Sequence, residues 1–135
     1  MSAPVLLDTD ILSAVMRQQP KAMERLRTYL AEHRHLTFSI ITRYEILRGL
    51  HTKRAITQLA AFDRLCHASV VIPLTDEIVV RAAGIYADLH QRGALIGDAD
   101  ILIAATALEQ NFVVVTNNES HYQRIPGLHL ENWLR

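Results

Sequence analysis

The chain has 135 residues, half of them apolar and 21% charged, with 14 basic and 14 acidic side chains that cancel to a net charge of zero. This length and apolar content suit one compact domain over residues 1–135 with a real core, and exclude a disordered segment. The lone Cys66 argues against an internal disulfide or a cysteine-built zinc site, and the stretch around Asp8 and Asp10 is too acidic for a signal peptide or membrane span. A cytoplasmic protein is expected. The charge is unevenly spread: residues 1–68 hold ten Lys/Arg against six Asp/Glu, and residues 69–135 hold four against eight. A basic flank beside an acidic pocket would suit an enzyme acting on phosphodiesters, although an ordinary two-signed surface gives the same count.

Val5 to Asp8 reads as a short apolar strand, the kind found in a parallel sheet covered on both faces. A helix follows at Ile11. Pro20 opens an amphipathic helix through Met23, Leu26 and Leu30 to about Glu32, and Leu36 to Ser39 forms a second strand. Ile40 to Leu50 is helical, as is Ala55 to about Cys66 through Ile56, Leu59 and Phe62; Ser69 to Ile72 is a strand stopped by Pro73. Thr75 caps a long helix carrying Ile78, Val79, Ala82, Tyr86 and Leu89, which Gly93 ends. Asp98 is a candidate cap for the next helix, Ala99 to Gln110, apolar almost all round and therefore buried, with Asn111 as its stop. Phe112 to Thr116 is a further covered strand, NNESHYQRIPG a polar loop, and Leu128 to Trp133 a last extended segment.

Strands alternating with helices imply a parallel sheet with right-handed crossovers, whose ligand sites lie beyond the carboxyl ends of the strands. Asp8 and Thr116 to Asn118 fall at such ends, and the helix start holding Asp98 and Asp100 points to the same edge. Glu45 lies on the helix after the second strand. Scattered carboxylates gathered at one edge are what a hard divalent cation such as Mg²⁺ or Mn²⁺ requires, because like charges share a pocket only when a cation or proton offsets them. Each acid also has a plain structural role available. Asp8 can cap the helix at Ile11, although Asp10 is better placed for that; Glu45 can pair with Arg48; and Asp98 or Asp100 can satisfy the helix N-terminus.

The segments LLDTDIL, YEILRGL, GDADILIAATAL and VVVTNNESHYQRIPGLHLENW, in this order and spacing, resemble the PIN-domain ribonucleases, especially the VapC toxins of toxin–antitoxin pairs. The resemblance covers essentially the whole chain. It implies a PIN-like three-layer α/β/α sandwich with a central, mainly parallel sheet, and a metal-dependent endoribonuclease using Mg²⁺ or Mn²⁺. The implied catalytic and metal-ligating residues are Asp8, Glu45 of the E-x-x-x-G helix, and Asp100, the acid directly before x-x-I-A-A. Asp98 becomes a cap or outer residue. Family members often carry a fourth acid in the loop after T-N-N; here that place is taken by His121, with Thr9, Asn118 and Glu119 as further residues within reach. Arg43, Arg48, Lys53 and Arg54, around the Glu45 helix, are candidates for the RNA backbone. The resemblance further implies a tRNA or rRNA substrate, inhibition of translation, a VapB-type antitoxin and a homodimer.

Two other functions compete. Asp8-Thr9-Asp10 after a strand resembles the nucleophile motif of haloacid-dehalogenase-like phosphatases, but Leu12 stands where that motif wants Thr or Val, and Asp98 and Asp100 are too close together for its metal segment. A catalytically idle PIN module that only binds RNA or a partner would explain the absent fourth acid.

Overall fold

The computed structural model describes residues 2–135. Five short strands, β1 (Val5–Leu7), β2 (Thr37–Ser39), β3 (Val70–Ile72), β4 (Val113–Val115) and β5 (Leu130–Glu131), alternate with seven helices among these residues: α1 (Thr9–Met16), α2 (Pro20–Glu32), α3 (Ile40–Thr52), α4 (Ile56–His67), α5 (Asp76–Gln91), α6 (Asp98–Gln110) and α7 (Glu119–Tyr122). Every strand pair is parallel. β4 lies between β1 and β5, with Leu6 opposite Val114, and β2 pairs with β3, with Phe38 opposite Val71. β2 also runs beside β1, which joins the two ladders into one layer.

Strand side chains alternate between faces, and the core divides accordingly. Val5, Leu7 and Val115 pack with Ile11, Leu26, Phe38 and Phe62 under α1–α4, whereas Leu6 and Val114 pack with Ile78, Leu89, Ile103 and Tyr122 under α5–α7. The sheet is thus the middle of three layers, as expected for a fully apolar set of strands. Gln19 accepts from the amide of Ala22 with Pro20 at the first position of α2, and Thr75 accepts from the amide of Ile78 at the start of α5. Asn111 (φ 59°) and Gly93 (φ 63°) end α6 and α5 in the left-handed conformation.

The sequence expectations need correction at five places. The cap before Ile11 is Asp8, whose side chain accepts from the amide of Thr9; Asp10 lies inside the first turn and turns elsewhere. Gly97, not Asp98, is the N-cap of α6, with no side-chain bond, and Asp98 is exposed. The segment NNESHYQRIPG is not a plain polar loop: it contains α7 and buries Tyr122 and Ile125. Ile56, Val79 and Tyr86 sit on the outer faces of their helices instead of the core, because α4 and α5 each have a covered stripe narrower than their apolar sequence. The last segment is extended only at Leu130–Glu131, and its Trp133 is buried against Tyr29.

Candidate metal centre and active site

The carboxyl ends of β1 and β4 are tied together by backbone and side chain. The amide of Asp8 donates to Val115 O, and Asp8 leaves extended geometry to open α1, its carbonyl accepting from Ile11 and Leu12. The residue is 5% exposed and no Lys, Arg or His among the described residues pairs with it; Oδ1 accepts from the Thr9 amide at 2.8 Å and Oδ2 from the Thr116 hydroxyl at 2.8 Å. Burial, and next the charge of Asp10, push the Asp8 carboxyl up to about 7. An anion that is buried beside like charge is costly, and a cation in the pocket would offset that cost.

Asp100 enters from the first turn of α6, where the helix dipole favours negative charge. His121 Nδ1 stands 3.0 Å from Asp100 Oδ2, Asn118 Nδ2 donates to the same oxygen at 3.4 Å, and the Tyr122 hydroxyl donates to Oδ1 at 3.4 Å. Tyr122 is fully buried, and burial with the charges of Asp8 and Asp100 drives its phenol far above the ordinary tyrosine range, so it acts only as a neutral donor. Glu45 comes from α3. The Thr9 hydroxyl lies 2.6 Å from Glu45 Oε1, and Arg48 approaches Oε2 no closer than 3.9 Å. Thr9 therefore connects the Asp8 end of β1 to Glu45.

Asp10 belongs to the same acidic group. Its Oδ2 accepts from the amide of Asn117 at 3.0 Å, while its Oδ1 is shielded from solvent with no hydrogen-bond partner. Burial raises the Asp10 carboxyl, and the charge of Asp100 adds to that rise. Glu119 faces the other way: it accepts from Asn132 Nδ2 at 3.0 Å and pairs with Arg135 at 2.8 Å.

As placed, no three His, Cys, Asp or Glu side chains among the described residues are grouped tightly enough to ligate one ion. The donor chemistry nevertheless fits a hard divalent cation. Asp8, Asp10 and Asp100 offer oxygen only, they act electrostatically on one another, and Asp10 Oδ1 is an orphaned buried oxygen.

A groove of about 700 Å³ between α1, α3 and α4 begins at Thr9 and Glu45 and is rimmed by Arg17 and Lys53. Lys53 was among the basic residues singled out from sequence; Arg17 was not, since nothing in its spacing connects it to the Glu45 helix. Arg43 is turned into the fold, donating to Cys66 Sγ at 3.1 Å above the Phe62 ring. Arg54 is exposed beyond the end of α3, and Arg48 is half spent on Glu45 and the Tyr44 ring. The bond of Tyr122 to Asp100 and the role of Asn132 also escaped the sequence reading. The three-residue spacing of Tyr122 and Ile125 was the available signal for the first; Asn132 carried none.

The PIN domain family model matches residues 5–128. The chain is 31% identical over 121 residues to Ribonuclease VapC1 of Methanocaldococcus jannaschii, covering 90% of this chain and 80% of that protein. It is 30% identical over 129 residues to the tRNA(fMet)-specific endonuclease VapC of Salmonella typhimurium, covering 95% and 96%. Its fold superimposes on a chain of VapBC2 from Rickettsia felis, crystallised with a DNA fragment from their promoter, with a TM-score of 0.85 at 28% identity over 96% of this chain and 98% of that one. This match sets aside the phosphatase alternative. A sheet that brings Asp8 and Asp100 to one edge, with Glu45 linked through Thr9, and a family model spanning nearly its whole length agree: the chain belongs to the PIN-domain family, with VapC ribonucleases as its relatives.

Proposed function

We propose that this protein is a metal-dependent endoribonuclease of the VapC type, the toxin of a toxin–antitoxin pair, cleaving a tRNA or rRNA in the cytoplasm and so inhibiting translation. The observation that carries this is the buried Asp8, paired with no basic side chain among the described residues, at the sheet edge it shares with Asp100. Asp8, Glu45 and Asp100 would hold Mg²⁺ or Mn²⁺. When bound, such an ion supplies a water of lowered pKa and positive charge against the anionic phosphoryl transition state. The chain's own groups do the rest. Thr9 orients Glu45, Thr116 orients Asp8, and Asn118, His121 and Tyr122 orient Asp100. His121 and Asn118, half-buried beside Asp100, are placed to donate to a phosphate oxygen, and Arg17, Lys53 and Arg54 flank the route by which the RNA backbone arrives.

The partner in this reading is a VapB-type antitoxin. The groove that ends at Glu45 suits an extended segment, and a segment seated there would exclude RNA. The exposed Val79, Val80 and Tyr86 of α5 leave apolar surface for a homodimer.

The test is cleavage of total tRNA and rRNA by purified protein. EDTA should silence it and Mg²⁺ or Mn²⁺ restore it, while Asp8→Asn and Asp100→Asn should each lose at least about 100-fold in rate because an amide lacks the charge that a hard cation requires. Asp98→Asn should stay within about threefold of wild type, its carboxylate being exposed and outside the network. Undiminished cleavage in EDTA, or by Asp8→Asn, would defeat the reading; a folded, metal-binding protein with no cleavage would favour the idle module.

A further inference from the structure

Thr42 lies on the covered face of α3, fully buried and three residues before Glu45, so that the two side chains project from the same side of the helix. A hydroxyl buried there is costly unless it is hydrogen-bonded. Thr28, Thr52 and Thr106, also on helices, each donate to the carbonyl four residues earlier in the chain. Thr42 does not. Among the described residues its hydroxyl has one partner, the Thr9 hydroxyl at the start of α1, 3.1 Å away. Thr9 in turn lies 2.6 Å from Glu45 Oε1 and is the one hydrogen-bond donor to that carboxylate among the described residues. These three oxygens in a row share two protons between them. A carboxylate has no proton to give, so the shorter bond takes the single hydroxyl proton of Thr9, and the longer bond is donated by Thr42 to the Thr9 oxygen. The chain of bonds therefore runs in one direction, from Thr42 through Thr9 to Glu45.

We propose that Thr42 is a positioning residue for the cleavage reaction: by donating to Thr9 it fixes the rotation of the Thr9 hydroxyl, and through it the carboxylate of Glu45. The inference rests on the reading of Glu45 as part of the active site and adds a residue behind it. Thr42 is a firm anchor, because a β-branched side chain on a buried helix face has few rotamers. Glu45 is half-buried on a long side chain and needs such an anchor. Without Thr42, the Thr9 hydroxyl is free to turn away from Glu45, and its bond to the carboxylate loses the polarisation that a donor behind it supplies.

The test is RNA cleavage, with kcat and KM resolved, by wild type, Thr42→Val, Thr42→Ser, Thr9→Val and the double variant Thr9→Val/Thr42→Val, each also unfolded in urea. Valine keeps the shape of threonine and loses the hydroxyl; serine keeps the hydroxyl and loses the methyl. Thr42→Val should lower kcat about 3- to 10-fold with KM near that of wild type, the loss expected for one hydrogen bond. Thr42→Ser should keep kcat within about twofold even though the missing methyl lowers its stability. Because Thr42 acts through Thr9, the double variant should cleave no more slowly than Thr9→Val alone. Should Thr42→Val fold poorly, Thr42→Ala takes its place and should fall below Thr42→Ser in kcat by the same factor. If Thr42→Val cleaves as wild type does while Thr42→Ser is impaired, Thr42 only fills space and this inference falls alone; it falls alone too if the two single losses multiply in the double variant. A wild-type protein that cleaves no RNA would sink the proposed function and this inference together.

Discussion

Asp8 caps α1, accepts the Thr116 hydroxyl that ties β1 to β4, and is buried with no Lys, Arg or His paired to it among the described residues. These roles conflict energetically at neutral pH. The Asp8 carboxyl is raised from 3.8 to about 7 in the fold, so the folded protein binds this proton more tightly than the unfolded chain does. Its contribution to stability is therefore complete below about 3.8 and is lost as pH rises toward and through 7, a swing on the order of a few kcal/mol. Metal-free Asp8→Asn should accordingly be more stable than wild type at pH 7.5, and the difference should shrink to nothing near pH 4; urea titrations of both proteins across that range measure it. Saturating Mg²⁺ should reverse the order at pH 7.5, because only wild type gains from the ion. Equal stability at both pH values would mean that Asp8 ionises as an ordinary surface carboxylate. The positions of Asp8 at the end of β1 and of Asp100 in the first turn of α6 were legible in the apolar runs beside them, whereas the choice of Asp100 over Asp98 came from the family resemblance and not from the local pattern. The capping roles of Asp10 and Asp98 were misread, since cap geometry turns on φ and ψ within one residue, and sequence does not resolve that.

At the scale of elements, the strands and the long helices followed from apolar runs and caps: β1, β2, β3 and β4 fall within the segments expected, and α6 ends at Asn111 as its left-handed tolerance suggests. The miss was α7. Its four residues are too few to present an amphipathic period, and beyond the spacing of Tyr122 and Ile125 nothing local marks the side that packs with α6 and β4. What holds α7 is equally non-local. Asn132, nearly buried, donates to Asn117 Oδ1 and to Glu119 Oε2, each at 3.0 Å, and accepts from the Leu134 amide, clamping the C-terminal segment to the loop that bears Asn118 and His121. Asn132→Ala strands these groups and should cost about 1–3 kcal/mol of stability. Cleavage should fall by less than the loss seen for Asp100→Asn, since the loop still reaches Asp100 through its own side chains. Chemical denaturation with activity measured at a temperature where both proteins are folded tests the pair of expectations.

On the scale of the whole molecule, the +4 and −4 halves of the sequence acquire a spatial meaning that composition alone left open. The helices α1–α4, which carry the basic half, pack on one face of the sheet, and α5 and α6 pack on the other. Arg17 and Lys53 stand on the basic side at the rim of the groove that opens at Glu45, so an incoming polyanion meets positive charge before it reaches the carboxylates. Each cation that contacts a phosphate adds salt dependence to binding, because its contact displaces a counterion. Arg17→Gln and Lys53→Gln should therefore each lower kcat/KM for RNA by about 3- to 10-fold near 50 mM salt, mainly through KM. Their cleavage should approach that of wild type at several hundred millimolar, where all three lose electrostatic attraction. Arg81→Gln, which removes a cation paired with Glu109 on the opposite face, serves as the control and should follow the wild-type salt curve. If Arg81→Gln weakened cleavage as much as Lys53→Gln, RNA would not approach along the α1–α3–α4 groove, and the charge division would be an ordinary property of the surface.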